Sequence, residues 1–213
     1  YEIRNGGMVE AYYAGNAAYQ QKMLAILDMA NGVLCQGQEY VNFIEEKLGK
    51  TTIYYPNYIL NKFLPIQQEN RIADKTCIRL VYLGRVVEDK NISFILDVCK
   101  ALDNNGIRFK LDIIGGYDST YYAYLQQYLK SLEINMNNRI EFCGRLDGEG
   151  MFSKLKEQHF FIFPTKEKRE GHSNSLTETM ALGIVPIASD IGFNRTIIND
   201  PSLIITVFDS ESY

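Results

Sequence analysis

The stretch that decides the fold is IRLVYLGRVVEDKNISFILDVCKALDNNGIRFKLDIIGG, residues 78–116. It contains two apolar runs, 78–84 and 109–116, each of strand length and each ending in glycine. Between them, with Asn91 as the expected N-cap, apolar residues recur at the helical period of 3.6. Nearly continuous apolar runs are typical of strands buried on both faces of a parallel sheet. The stretch therefore predicts a strand–helix–strand unit.

The same alternation continues toward the C-terminus. Further apolar runs occupy 139–144, 160–164 and 184–189, and Asp118 or Ser119 can cap a second helix after residue 116. This order predicts an α/β fold with a Rossmann-like, doubly wound, mostly parallel sheet. Ligands of such sheets bind at the carboxyl ends of the strands. The loops of interest are then 84–91, 115–119, 144–149 and 164–175.

The chain divides into three segments by pattern. Residues 1–60 predict a partial second α/β unit, with two helical and two strand-like stretches. So few elements cannot cover both faces of a sheet, which indicates the end of a domain. Residues 61–77 are polar and aperiodic and predict a linker, and residues 78–213 predict the Rossmann-like domain.

Composition restricts the function classes. The 213 residues carry a formal charge of -4, so no broad basic field favours a nucleic acid partner. No apolar run approaches the ~20 residues of a spanning helix, although peripheral membrane association stays open. Four scattered cysteines and only two histidines, His159 and His172, predict reduced thiols in the cytoplasm and no metal site.

The stretch EGHSNSLTETMALG, residues 170–183, follows the apolar run 160–164 and predicts a helix start. Ser175-Leu-Thr-Glu178 matches the capping box, in which the glutamate reaches back to the N-cap amide, and Gly183 would close the helix. In this structural interpretation Glu178 only caps its helix. Glu170 is then a solvated loop residue.

A functional interpretation uses the same geometry. A helix N-terminus after a strand end offers free amides and a positive dipole end to a phosphate, and Ser173, Asn174 and Ser175 are small enough to let it approach. Glu178 could accept hydrogen bonds from ribose hydroxyls, and Glu170 from a second polyhydroxylated group. This arrangement suits a nucleotide sugar. Combining both interpretations, we expect Glu178 to cap the unliganded helix and to turn toward a bound nucleotide.

The loop after the first strand supports this second interpretation. Arg85 comes directly after Gly84, and Lys90 precedes the expected N-cap Asn91. Both cations would lie at the carboxyl edge of the sheet, where a diphosphate needs its charge neutralised. On its own, a pair of basic residues is more often an ordinary part of the surface.

Together these blocks resemble the donor-binding half of the group 1 glycosyltransferases, which are retaining enzymes of the GT-B fold. The resemblance covers about 120 residues, and its most specific part is the glutamate pair. The matching blocks are LGR…DKN (83–91), LDIIGG (111–116), IEFCGRL (140–146), FIFPTKEKREGHSNSLTETMALGIVPIAS (161–189) and DIGFNRTII (190–198). Residues 1–60 resemble the end of the family's acceptor domain.

The resemblance implies a role for each matched residue. Arg85 and Lys90 would hold the donor diphosphate and Glu170 would face the donor sugar, which makes these three the catalytic set. Glu178 would bind the ribose hydroxyls, and the region after residue 144 would hold the base. The donor-binding set is then Gly84, Arg145, Leu146, Gly171, His172, Ser173, Asn174, Ser175, Leu176 and Glu178.

The implied function is transfer of a sugar from a nucleotide-diphosphate sugar, such as a UDP or GDP sugar, to a hydroxyl group with retention. The acceptor would be a carbohydrate or a lipid-linked molecule in cell-envelope polysaccharide or glycolipid synthesis, in the cytoplasm or at the inner face of the membrane. No cofactor and no metal is implied. Much of the acceptor domain and the closing C-terminal helices are expected to be missing, so the isolated chain need not be active. A nucleotide-sugar-binding module without turnover and a nucleotide-sugar epimerase of the same fold remain alternatives.

Overall fold

The computed structural model describes residues 2–3, 12, 14–59, 76–135, 137–167 and 170–208 of the chain. The N-terminal part is a parallel three-stranded sheet in the order β1-β2-β3. Its elements are β1 (Glu2–Ile3), α1 (Ala17–Asp28), β2 (Val33–Cys35), α2 (Gln38–Leu48) and β3 (Thr52–Tyr54). Almost all of the predicted linker lies outside the described residues.

The C-terminal part is a six-stranded sheet in the order β6-β5-β4-β7-β8-β9, and every neighbouring pair is parallel. Its strands are β4 (Ile78–Leu83), β5 (Phe109–Ile114), β6 (Arg139–Gly144), β7 (Phe160–Phe163), β8 (Val185–Ser189) and β9 (Ile204–Ile205). Its helices are α3 (Ile92–Asn104), α4 (Ser119–Ser131), α5 (Gly148–Leu155), α6 (Asn174–Ala181) and α7 (Asn194–Ile198), with 3-10 turns at Glu88–Lys90 and Pro201–Leu203. The predicted fold class, a Rossmann-like sheet beside a partial α/β unit, is confirmed.

The expected helix starts after Asn91 and Asp118 are confirmed, but only Asp118 makes a side-chain capping hydrogen bond. Asp118 caps α4 by accepting a hydrogen bond of 2.9 Å from the amide of Tyr121. Asn91 occupies the N-cap of α3 in a left-handed conformation, with φ 57°, and its side chain makes no capping bond. Within the described part of the chain, its buried Nδ2 has no hydrogen-bond partner.

Two hydrophobic cores hold the two sheets. The larger one lies on the six-stranded sheet and includes the fully buried side chains of Tyr82, Phe109 and Phe161. Burying aromatic and aliphatic side chains of this size contributes about 1.5–3 kcal/mol each. The smaller core packs β2 against α2 through residues such as Cys35 and Ile44, and Phe193 from the C-terminal part completes it.

The strand order creates a topological switch point between β4 and β7. From β4 the chain continues outward through β5 and β6, and then returns to place β7 on the other side of β4. Crevices at the carboxyl ends of strands that flank such a point are the usual ligand sites of open α/β sheets. The loops that follow β4 and β7 therefore form the candidate site.

Candidate functional site

The end of β4 is shaped by a close approach of two glycines. Gly84 and Gly115 follow the neighbouring strands β4 and β5, and a Cβ at Gly115 would lie 1.7 Å from the carbonyl oxygen of Gly84. The buried Tyr82 donates a hydrogen bond of 2.7 Å to the carbonyl oxygen of Arg85. The backbone at Arg85 is thus fixed, while its side chain stays 70% exposed.

A buried ion-pair cluster joins the loops after β4 and β7. The side chain of Lys90 is only 8% exposed, and its Nζ contacts Oε2 of Glu167 at 2.6 Å and Oε2 of Glu170. Thr165 Oγ1 donates to the same oxygen of Glu170 at 3.2 Å. A lysine removed from water needs such partners, since an unpaired buried charge costs several kcal/mol. The cluster lies at the switch point and contains Lys90 and Glu170, two of the three predicted catalytic residues.

Further contacts fix the geometry of the cluster. The amide of Lys166 donates to the carbonyl oxygen of Asp89 at 2.8 Å, which holds the two loops together. Arg85 Nη2 lies 3.6 Å from Glu167 Oε2. Lys90 and, more weakly, Arg85 hold the pKa of Glu167 below its usual value. Two cations and two carboxylates thus face each other across the carboxyl edge of the sheet.

The predicted capping box at the start of α6 is wrong. The N-cap is Ser173, whose side chain accepts a hydrogen bond of 3.3 Å from the amide of Leu176. The helix therefore begins two residues earlier than predicted, and Leu176, not Glu178, holds the third helical position where a capping box needs its carboxylate. Glu178 falls in the second turn, too far along the helix to reach the N-cap amide.

Glu178 has no hydrogen bond or ion pair with any residue that the structure describes. Its side chain is partly buried, and this burial raises its pKa. The expected switch from a capping position to the ligand is therefore also wrong, because there is no capping bond to release. A partly buried carboxylate without a protein partner and with a perturbed pKa is typical of functional sites.

The remaining small residues of this turn are held by the protein itself. Oγ of Ser175 lies 3.0 Å from Oγ of Ser173. His172 Nδ1 lies 3.4 Å from Thr177 Oγ1, and burial lowers the pKa of His172. The carbonyl of His172 and the side chain of Asn174 both accept hydrogen bonds from Asn57 of the N-terminal part.

Residues 77–213 match the family model of the group 1 glycosyl transferases. The chain belongs to this family. A sequence comparison with curated proteins finds no match. Similar solved structures show that the fold of this glycosyl transferase chain is GT-B.

Three of these structures superpose on nearly the whole chain. Sucrose-phosphate synthase from Thermosynechococcus elongatus has a TM-score of 0.74 and 16% identity, over 99% of this chain and 55% of its own. Anabaena Alr3699/HepE, in complex with UDP and glucose, has a TM-score of 0.71 and 11% identity, over 100% of this chain and 58% of its own. The pneumococcal O-GlcNAc transferase GtfA, in complex with UDP and GlcNAc, has a TM-score of 0.67 and 14% identity, over 99% of this chain and 42% of its own. The chain thus spans about half the length of the structures it matches.

Some residues of the donor-binding set lie apart from the cluster. Arg145 and Leu146 follow β6, the outermost strand on one side, so β5 lies between their strand and β4. They share the carboxyl edge with the cluster but form no hydrogen bond or ion pair with it among the described residues. Leu176 has its side chain fully buried in the larger core, so only its backbone could face a ligand.

The sequence interpretation of this glycosyl transferase missed three site residues. Glu167 and Thr165 complete the ion-pair cluster around Lys90, and Asn57 bonds to the turn before α6. Glu167 stands in the mixed charge run of residues 166–170, which is typical of solvated surfaces. Only the partners supplied by another loop mark it as a site residue.

Beside the cluster lies a cleft of about 760 Å³. It shares Asp89 and Lys166 with the junction of the two loops and extends to the start of α4. Its volume is that of a ligand pocket. Three carboxylates, of Glu88, Asp89 and Asp118, line it together with a single cation, so it suits a diphosphate poorly.

A second charged cluster is explained by ion pairs alone. Asp112, on β5, lies within 4.8 Å of ligand atoms of Glu141 and Cys143, a grouping that could in principle hold a metal ion. The carboxylate of Asp112 is already bound by Arg139 at 2.9 Å and by Lys154 at 3.4 Å. A divalent cation would have to displace both, so we interpret this cluster as structural.

Within the described ranges, none of the helices combines the length and the apolar character that a membrane span requires.

Proposed function

We propose that this chain is the donor-binding part of a glycosyltransferase that moves a sugar from a nucleotide-diphosphate sugar to a hydroxyl group with retention. The observation that carries the proposal is the buried cluster of Lys90, Glu167 and Glu170 at the switch point, with Arg85 at its rim. It places cations for a diphosphate next to a carboxylate for a sugar. Two of the similar structures are described as complexes with UDP and a sugar, which supports this ligand class.

In the proposed mechanism, the leaving nucleoside diphosphate is stabilised by charge. Arg85 is exposed and only loosely paired, so its guanidinium can turn to the phosphate oxygens, and Lys90 and the amides at the start of α6 would add to it. Removing one such contact typically costs about 2.7–4 kcal/mol of transition-state stabilisation, or ~10²–10³ in rate. In this proposal no metal is needed for the neutralisation.

Glu170 is proposed to position the donor sugar. Its contacts with Lys90 and Thr165 both use Oε2, so Oε1 is the oxygen that would accept a hydrogen bond from a sugar hydroxyl. A carboxylate held by a lysine is a weak nucleophile, so we do not assign it a covalent step. The acceptor hydroxyl and the leaving diphosphate would meet on the same face of the sugar.

Glu178 is proposed to bind the ribose. Two neighbouring hydroxyls can donate to the two oxygens of one carboxylate, and that carboxylate has no partner among the described residues. Base, sugar and acceptor are proposed only as classes: UDP or GDP, a hexose, and a carbohydrate or lipid-linked acceptor of the cell envelope. The site of action would be the cytoplasm or the inner face of the membrane.

Calorimetry tests the donor site. UDP, GDP and ADP are titrated into the wild-type chain, into Glu178→Ala and into the control Glu46→Ala, whose exposed carboxylate lies on α2. We expect one nucleotide to bind the wild type, and its affinity to fall about tenfold or more in Glu178→Ala, because a charged hydrogen bond is worth about 1.5–3 kcal/mol. The control should bind like the wild type. If no nucleotide binds the wild-type chain at millimolar concentration, the proposal is wrong.

Turnover by the whole protein separates the remaining alternatives. Release of nucleoside diphosphate together with a glycosylated acceptor supports a transferase, and the anomeric configuration of the product tests retention. Binding without turnover would indicate a nucleotide-sugar-binding module. An epimerised donor sugar would indicate an epimerase of the same fold.

A further inference from the structure

One residue of the N-terminal part bonds directly to the turn before α6. The residue is Asn57, which follows β3 in the chain. Its Nδ2 donates to the carbonyl oxygen of His172 at 2.6 Å and to Oδ1 of Asn174 at 2.6 Å. Its Oδ1 accepts from Nε2 of Gln36 at 2.6 Å. A carbonyl oxygen can only accept, so the His172 contact fixes which end of the Asn57 amide carries the nitrogen. Gln36 itself is only 6% exposed.

The residue after Gln36 forms a second contact between the two parts. A Cβ at Gly37 would lie 2.2 Å from the ring of Phe193, so a side chain at position 37 has no room. Phe193 is 2% exposed and packs edge-on against Tyr40, with ring centroids 5.0 Å apart. An aromatic side chain of the C-terminal part is therefore inserted into the core of the N-terminal part.

This second contact continues to the backbone of Glu170. Gly192, next to Phe193, has φ 58°, and a Cβ there would lie 2.2 Å from the carbonyl oxygen of Glu170. The segment from Glu170 to Asn174 is thus held at one end by Gly192 and at the other by Asn57. Both supports lead to Gln36 and Gly37, at the end of β2. The segment is short, so neither end can move far without the other.

We propose that Asn57 is a positioning residue, which transmits the docking of the N-terminal part to the donor-sugar side of the site. Its hydrogen bonds to Gln36, His172 and Asn174 form a latch. The latch fixes the first residue of α6 and, through the short turn, the direction of Glu170. This inference rests on the proposed function insofar as it names a donor sugar as the ligand. A misplacement of about 1 Å in such a site can cost ~10² in rate, so a latch of this kind matters for catalysis.

Hydrogen–deuterium exchange of the unliganded chain tests the latch without any nucleotide. We expect the hydrogen-bonded amides within residues 170–176, those of Glu170 and Leu176, to exchange about tenfold faster in Asn57→Ala than in the wild type, while β4 and β5 keep their protection. The matched control is Asn42→Ala, which removes another asparagine that accepts from a glutamine, Gln38, at 3.1 Å on an exposed helix face. Unchanged exchange at 170–176 in Asn57→Ala would overturn the proposal.

Variants of the latch separate its bonds. Asn57→Asp keeps the shape but cannot donate to His172 or Asn174, so it should behave like Asn57→Ala. Gln36→Ala removes one of three hydrogen bonds and should raise exchange at 170–176 by a smaller factor. If Asn57→Asp exchanges like the wild type, the side-chain hydrogen bonds do not hold the turn.

Ligand binding tests the positioning role itself. UDP and UDP-glucose, or GDP and GDP-mannose if calorimetry selects GDP, are titrated into the wild type and Asn57→Ala. The nucleotide sugar should bind about tenfold more weakly to the variant, and the nucleotide alone should lose a smaller factor of about threefold, because the turn contacts the phosphates of both ligands whereas Glu170 faces only the sugar. Equal losses for both ligands would show a merely structural role and would refute positioning. If neither binds the wild type, the proposed function fails, and the exchange experiment still decides the latch.

Discussion

Replacing Lys90 by methionine removes the cation shared by Glu167 and Glu170 and keeps much of the aliphatic side chain. Lys90 and Glu170 are 8% and 13% exposed, so the variant leaves the largely buried carboxylate of Glu170 without a counter-charge. Glu167 keeps only Arg85, at 3.6 Å. Breaking a buried pair in this way costs about 3–5 kcal/mol of unfolding free energy. At about 2–4 °C per kcal/mol in a protein of this size, Tm should fall by roughly 6–20 °C at pH 7.

The pH dependence gives this prediction its sign. Lys90 holds the pKa of Glu167 below the ordinary value of 4.5, so the pair stabilises the wild type above that pH and this stability is lost as pH falls through the folded-state pKa. Without Lys90, burial raises the pKa of Glu167, and its carboxylate takes up a proton at higher pH. The difference in Tm between Lys90→Met and the wild type should therefore be smaller at pH 5 than at pH 7.

Thermal unfolding and urea unfolding, both followed by circular dichroism at pH 5 and pH 7, measure the changes in Tm and in unfolding free energy. Lys50→Met is the control, since Lys50 pairs with Asp28 on the surface, with side chains 35% and 63% exposed, and it should cost less than about 1 kcal/mol. The double variant Lys90→Met/Glu170→Gln should recover part of the loss, because one unpaired charge is removed. A loss below about 1 kcal/mol in Lys90→Met, or one that does not depend on pH, would refute the reasoning.

Three further predictions concern the same edge of the sheet. Arg85→Ala should change the unfolding free energy by less than about 0.5 kcal/mol, because the side chain is 70% exposed. The same variant should bind nucleoside diphosphate about tenfold more weakly in calorimetry, and unchanged affinity would contradict the role assigned to Arg85. Gly192→Ala should lower the free energy of unfolding by about 2–4 kcal/mol in urea unfolding, and Gly49→Ala by about 1 kcal/mol. Both residues have positive φ, but only Gly192 contacts the carbonyl of Glu170. Equal costs would disprove that contact. Glu178→Gln should raise the free energy of unfolding slightly at pH 7, by no more than about 1 kcal/mol, while reducing nucleotide affinity. Burial raises the pKa of Glu178, so this gain should disappear as pH falls below that pKa, and a loss of stability would contradict it.

The sheet could be predicted from the sequence because each long strand is a continuous apolar run bounded by glycine, proline or serine. Runs such as 78–84 and 160–164 appear in the structure as β4 and β7, with boundaries shifted by a residue. The two-residue strand β9 is too short to produce a pattern. Helix α5 carries glycine at positions 148 and 150, which lowers its helical propensity and concealed it.

The site was only partly predictable because its chemistry depends on contacts between distant segments. Arg85, Lys90 and Glu170 stand in loops that the strand pattern brings together. The choice of Ser173 over Ser175 as N-cap cannot be made locally, since both are serines before a helical stretch. In the structure Asn57 holds the residues on either side of Ser173. No local signal distinguishes Asn57 from any other loop asparagine.

A crystal structure of the chain with the nucleotide diphosphate that binds most tightly tests the central claim most directly. We predict that the diphosphate oxygens lie within hydrogen-bonding distance of Arg85 and Lys90, and that the ribose hydroxyls donate to the carboxylate of Glu178. The nucleotide would then occupy the switch point between β4 and β7. A nucleotide bound in another place, or with its ribose away from Glu178, would contradict the account.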